Sequence, residues 1–195
     1  MKLKAFILIL IGLPVTLLGQ SSGDYAPNYY QVLKEGGVVG CSYLQERRGQ
    51  YFSRGNSSAY SGQCIERTIF GSQHLLLLRV GIEDGVRNGS IEEWYPSGNA
   101  KTLGTYVTGQ LQGLYEEWNA NGTLATRYHF LNDMLEGVAE TWGDSGQMLT
   151  QGIYKDGQLN GYYEEWDING IQSARECYIG GGLQPISECS RMGVF

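Results

Sequence analysis

The chain has 195 residues, of which 14 are Lys or Arg and 20 are Asp or Glu, for a formal net charge of -6. An acidic chain with no basic patch is repelled by phosphate backbones, which argues against nucleic acid and anionic membrane surfaces as partners. Gly (29 residues) is abundant and Tyr (14) far outnumbers Phe (5), a composition suited to twisted β-sheet with tight turns.

Residues 1–19 read as a secretory signal peptide. Lys2 and Lys4 form a positive start, an apolar stretch follows from Ala5 to Leu18, and Gly19 supplies the small residue for cleavage. The stretch falls short of the roughly 20 residues needed to span a bilayer, so no stable membrane insertion is expected after cleavage. Removing Lys2 and Lys4 takes the formal charge from -6 to -8. The expected location is secreted, or periplasmic in the cell envelope.

Residues 20–64 carry Tyr, Gly and Ser without a clear period and read as an N-terminal cap region. The four cysteines, Cys41, Cys64, Cys177 and Cys189, all follow the apolar segment. An even number in an oxidising compartment predicts two disulfides, for which three connectivities exist. Cys41–Cys64 and Cys177–Cys189 are favoured because each closes a short loop. Free buried thiols are the alternative, and zinc lacks any CxxC or HxxxH spacing.

The dominant signal is internal. The only tryptophans are Trp94, Trp118, Trp142 and Trp166, a constant step of 24. Gly89, Gly113, Gly137 and Gly161 open the units, and Glu92, Glu116, Glu140 and Glu164 follow three later. Gly98, Gly122, Gly146 and Gly170 stand four after each Trp. Tyr106, Phe130, Tyr154 and Tyr178 come late in each unit, and Leu111, Leu135, Leu159 and Leu183 close it. A fixed period in this range means stacked supersecondary units.

Each unit predicts two strands. GLYEEW (113–118) leads into the turn-forming Asn119-Ala120-Asn121-Gly122, and residues 123–131 form the second strand. Asn132-Asp133 and its equivalent Asp156-Gly157 then predict a type I′ hairpin turn. Helix is the competing assignment, but each interior Gly would cost about 1 kcal/mol. Residues 89–184 are therefore expected to form four repeats in an all-β, elongated antiparallel meander of about eight strands, roughly 40 Å long. Residues 65–88, with Phe70, His74 and Gly85 near the repeat positions, read as a degenerate capping repeat, and residues 185–195 as a tail.

Alternation places Leu114, Glu116 and Trp118 on one face and Tyr115 and Glu117 on the other. The Trp column is expected to be core, or else an exposed aromatic stripe for sugar rings or a partner peptide. The Glu column is expected to be a solvated, solubilising face or, with the Trp column, a binding surface.

The pattern G-x-x-E-E-W-x-x-x-G followed by Y-x-D-G-x-L-x-G, clearest in 113–122 and 154–170, resembles the bacterial variant of the MORN repeat. The resemblance covers residues 81 to about 181. It implies an elongated, twisted single-layer sheet, and a scaffold or a protein- or lipid-contacting role. Some bacterial members are antitoxins. Thr141 for the second Glu, Pro96 after Trp94, and Gly180-Gly181-Gly182 for Asp-Gly depart from the pattern and bear on turn shape.

Catalytic chemistry is not evident. His74 and His129 read as surface or half-buried imidazoles, and no GxSxG, HExxH or phosphate-binding loop occurs. Cys41-Ser42 lacks a base nearby. The pairs Glu92-Glu93, Glu116-Glu117 and Glu164-Glu165 project to opposite faces, so they cannot flank one sugar. Asp133 or Asp156 could join the Glu column around Ca²⁺, but the spacing of known calcium loops is missing. No cofactor or metal is expected. Asn56, Asn88 and Asn121 head glycosylation sequons, two of which arise from Asn-Gly turns. The sequence thus predicts a non-enzymatic interaction module with a protein partner. A neutralising antitoxin- or immunity-like protein and a carbohydrate- or cell-wall-binding module are the alternatives, and lipid or glycan contact stays open.

Overall fold

The computed structural model describes residues 38–70 and 73–193, and the side chains of Phe70, Gln73 and His74 are outside the description. The expected signal peptide, residues 1–19, and residues 20–37 also lie outside the described residues. The strands are β1 (Val38–Gly40), β2 (Leu44–Arg47), β3 (Gln50–Ser53), β4 (Gly62–Phe70), β5 (Gln73–Glu83), β6 (Val86–Trp94), β7 (Ala100–Val107) and β8 (Gln110–Leu111). They continue as β9 (Gly113–Trp118), β10 (Leu124–Leu131), β11 (Met134–Leu135), β12 (Gly137–Trp142), β13 (Met148–Lys155), β14 (Gln158–Trp166), β15 (Gln172–Ile179) and β16 (Gly182–Gln184). One helix, α1 (Ile186–Met192), follows.

The protein is all-β: an open, elongated meander in the order β1-β4-β5-β6-β7-β9-β10-β12-β13-β14-β15-β16. All neighbours are antiparallel except β1, which runs parallel to β4. The hairpin of 113–131 forms as the sequence predicts, β9 pairing Leu114 with His129 and Tyr115 with Tyr128. The hairpin β4–β5 extends the same sheet ahead of the four repeats.

Two turns alternate along the array. After each Trp, the amides of Tyr95, Asn119, Gly143 and Asp167 donate to the carbonyls of Asn99, Thr123, Gln147 and Ile171 at 2.8–2.9 Å. At the other edge, both central residues of each turn have positive φ: Asp84/Gly85, Thr108/Gly109, Asn132/Asp133, Asp156/Gly157 and Gly180/Gly181. That is the type I′ geometry, whose twist matches the strands it joins.

A second set of contacts repeats with the period. The backbone amides of Thr108, Asn132, Asp156 and Gly180 donate to side-chain oxygens of Asn88, Gln112, Glu136 and Asn160 at 2.9–3.1 Å. Each bond ties one unit's turn to the residue just before the opening glycine of that unit. Backbone bonds from Gly109 to Arg87, Asp133 to Leu111, Gly157 to Leu135 and Gly181 to Leu159 reinforce it.

The sheet is a single layer, so its core is small and sits at the ends. Val39, Cys64, Val80 and Ile82 are buried, with Tyr51, Tyr60 and Ile91 packed against them. The β2–β3 hairpin and the Cys41–Cys64 disulfide hold this N-terminal cap. At the far end Cys177–Cys189 fastens α1 to β15, with both cysteines fully buried. Both disulfides have the connectivity favoured on loop length. They mark a chain that matures in an oxidising environment. Among the described residues no helix is long and apolar enough to cross a membrane.

The caps cover opposite faces. The N-terminal cap packs on Ile91, which lies on the same side as Glu93. Helix α1 packs on Cys177, and Ser190 shares a 2.7 Å hydrogen bond with Tyr162, on the side of Glu164.

Close backbone approach decides one glycine. A Cβ on Gly81 would lie 2.2 Å from the Asn88 carbonyl oxygen, whereas one on Gly89, at φ 95°, would meet nothing within 4 Å. Gly81→Ala is expected to cost about 3 kcal/mol. Gly89→Ala should cost about 1 kcal/mol, from its backbone conformation alone. Urea unfolding of the two variants checks the difference.

Candidate functional site

The Glu column lies in one continuous transverse row. Register places Arg79, Glu92, Leu103, Glu116, Arg127, Glu140, Gln151, Glu164 and Arg175 side by side on successive strands. Arg79 pairs with Glu92 at 3.1 Å and Arg175 with Glu164 at 3.1 Å. Arg127 bridges Glu116 at 2.8 Å and Glu140 at 3.8 Å. Gln151 donates to Glu140 at 3.0 Å.

The side chains of Glu92, Glu116, Glu140 and Glu164 are only 16–24% exposed. The expectation of a solvated Glu face is therefore corrected: each carboxylate is tied to a neighbouring strand. The arginines that do this recur only in every second unit, and the Glu spacing alone did not reveal them.

All four tryptophans, Trp94, Trp118, Trp142 and Trp166, are half-buried, and none belongs to the buried core. Arg79 lies over Trp94 at 5.9 Å and Arg127 over Trp142 at 5.5 Å, so part of the column packs on the arginines of the ion-pair row. A strand bulge beside Trp94, Trp118, Trp142 and Trp166 shifts the register at each.

The opposite face carries another row: Leu78, Glu93, Thr102, Glu117, Thr126, Thr141, Thr150, Glu165 and Ala174. Its carboxylates are held by hydroxyls. Tyr115 donates to Glu117 at 2.6 Å and Tyr163 to Glu165 at 3.1 Å. Tyr178 donates to Glu176, on the adjacent strand, at 2.7 Å. Lys101 pairs with Glu93 at 2.8 Å, but among the described residues Glu117, Glu165 and Glu176 have no ion pair.

An aromatic bank flanks this row. Tyr115 meets Phe130 edge-on at 5.7 Å, and Tyr163 meets Tyr178 edge-on at 6.4 Å. Two glycines make room for the rings. A Cβ on Gly104 would lie 2.8 Å from the Tyr115 ring, and one on Gly152 would lie 3.1 Å from that of Tyr163.

A cleft of about 330 Å³ lies at the bulged edge of the first repeat, lined by residues including Glu66, Glu93, Trp94, Tyr95 and Lys101. Its Glu93 is engaged by Lys101. His129 lies on β10 opposite Leu114. The Asp133 carboxylate is occupied within the fold, accepting from the Leu111 amide at 2.6 Å, and no cluster of three or more metal-ligating side chains occurs among the described residues.

The chain matches no family model, and no curated protein matches it.

The ion-pair row predicts a salt-sensitive term in stability. Arg127→Leu places at this position the residue that Leu103 already supplies two strands away. It is expected to cost about 1 kcal/mol at low salt, since Arg127 is 42% exposed, and less as salt screens the row. Urea unfolding at low and high ionic strength measures it.

Burial, and then the bond to Glu117, raises the Tyr115 phenol above its ordinary 10.0. Folding favours the neutral phenol, so its contribution is complete below pH ~10 and is lost as pH rises toward the raised value. Tyr115→Phe should flatten part of the alkaline loss of stability in a pH series of unfolding curves.

Proposed function

We propose that the chain is an exported, non-enzymatic interaction module of the MORN-repeat type, a rigid sheet that presents repeated side chains to a protein partner. The observation that carries this reading is the unbroken period of the repeat. Each unit repeats the same pair of turns, and inter-unit bonds tie the type I′ turns from Thr108 to Gly180 to the residues before them. Such a frame holds side chains at fixed intervals on a surface too large for one small ligand. Two disulfides suit an extracellular or envelope location, the expected destination of a chain led by residues 1–19.

The Glu92, Glu116, Glu140 and Glu164 column is engaged within the sheet, which favours a structural role for it. The tyrosine-bearing face, where Glu117, Glu165 and Glu176 are held by hydroxyls and, among the described residues, by no ion pair, is the better candidate for contact.

Residues 20–195 used as bait against the envelope and secreted fractions should retain a protein that, once purified, forms a stoichiometric complex in size-exclusion chromatography with light scattering. Absence of any such complex would overturn the reading. Tryptophan fluorescence that answers a glycan panel would then move the protein to the carbohydrate-binding class.

A further inference from the structure

The tyrosine-bearing face has a longer period than the repeat itself. Gly104, Tyr115 and Glu117 recur two units later as Gly152, Tyr163 and Glu165, while the intervening unit has Ala139 and Thr141 at the Tyr and Glu positions. In both places the tyrosine ring lies against the glycine and its hydroxyl donates to the carboxylate two residues on. The strand order places the two sites four strands apart, which is about 19 Å.

Neither carboxylate has a cation within salt-bridge distance among the described residues. Glu176, bonded to Tyr178 on the strand beside Glu165, adds a further negative charge at the second site. Between the two sites the hydroxyl of Thr126 is buried and makes no hydrogen bond. The N-terminal cap packs on this face at the first unit, through Ile91, and α1 packs on the other face, so among the described residues no further element covers the second to fourth units here.

We propose that this face binds an extended, basic, proline-rich segment of another protein, with two Arg or Lys side chains that reach Glu117 and Glu165 together. This inference rests on the interaction-module reading. The charge selects the partner: a second copy would bring carboxylate against carboxylate, and an anionic lipid surface would be repelled. The aromatic bank selects its backbone. Polyproline II segments dock on aromatic-lined surfaces, and their residues advance about 3.1 Å each, so basic residues six apart span about 19 Å. A cation beside Glu117 or Glu165 also lies against a tyrosine ring, which adds an attraction of its own.

The test uses two capped synthetic peptides of the same composition. In the first, two arginines flank five prolines; in the second, the arginines are adjacent and the prolines follow. Binding to the full chain is read by fluorescence anisotropy at low and physiological salt. The spaced peptide should bind about 10-fold more tightly than the adjacent one, because only it engages both sites. Glu117→Gln with Glu165→Gln should remove that advantage, and both amides still accept the tyrosine hydrogen bonds, so the fold is kept. Glu46→Gln, on strand β2 of the N-terminal cap, removes a charge that belongs to neither site and should leave the advantage intact.

Equal affinity for the two peptides, no binding of either, or an equal loss in the Glu46→Gln protein would overturn the inference. If the peptides fail while a purified protein partner still forms a complex, the interaction-module reading stands and this face is the wrong one. If the spaced peptide binds but no protein partner exists, the inference survives as chemistry and the module reading falls.

Discussion

Cohesion in this protein depends on side chains pairing across strands, because a single-layer sheet has no second layer to bury its central strands. Among the described residues of the four repeats, the buried positions are few, with Thr102, Ala139 and Cys177 the non-glycine examples. The hydrophobic cluster lies at the N-terminal end. Cross-strand pairs are each worth only about 0.2–1 kcal/mol, so they must be numerous and in register. The arginine-glutamate row on one face and the tyrosine-glutamate bonds on the other meet that need with different chemistry.

Register follows from the turns. A slip of one residue would send every Glu of the column to the opposite face, out of reach of its arginine. The type I′ turns and the oxygens of Asn88, Gln112, Glu136 and Asn160 hold each hairpin against the one before it. The ends, where a meander would otherwise offer unprotected edges and lose half its neighbours, are closed covalently. Cys41–Cys64 holds the N-terminal cap and Cys177–Cys189 holds α1, on opposite faces.

The two faces therefore differ in what they leave available. On the arginine face the charges of the row largely neutralise one another. On the tyrosine face hydroxyls satisfy the hydrogen-bonding of Glu117, Glu165 and Glu176 without neutralising their charge. A phenol can donate a hydrogen bond, but it carries no positive charge. That difference is why the second face, rather than the Trp and Glu columns, is the stronger candidate for meeting a partner.

The period, the hairpins and their turns are legible in the residues alone. Each is a local property: Gly and Asn tolerate positive φ, strands alternate, and Trp recurs at one fixed step. The pairing of four cysteines was also legible, since only one arrangement closes two short loops. The partners of the Glu column were not. Arg127 stands on a different strand from both Glu116 and Glu140, and only the register brings all three into one row. Nor could the residues say which side each cap would cover, or that Gly104 and Gly152 lie beneath tyrosine rings. Those facts depend on side chains meeting across strands, and no local preference fixes which of them meet until the sheet has formed.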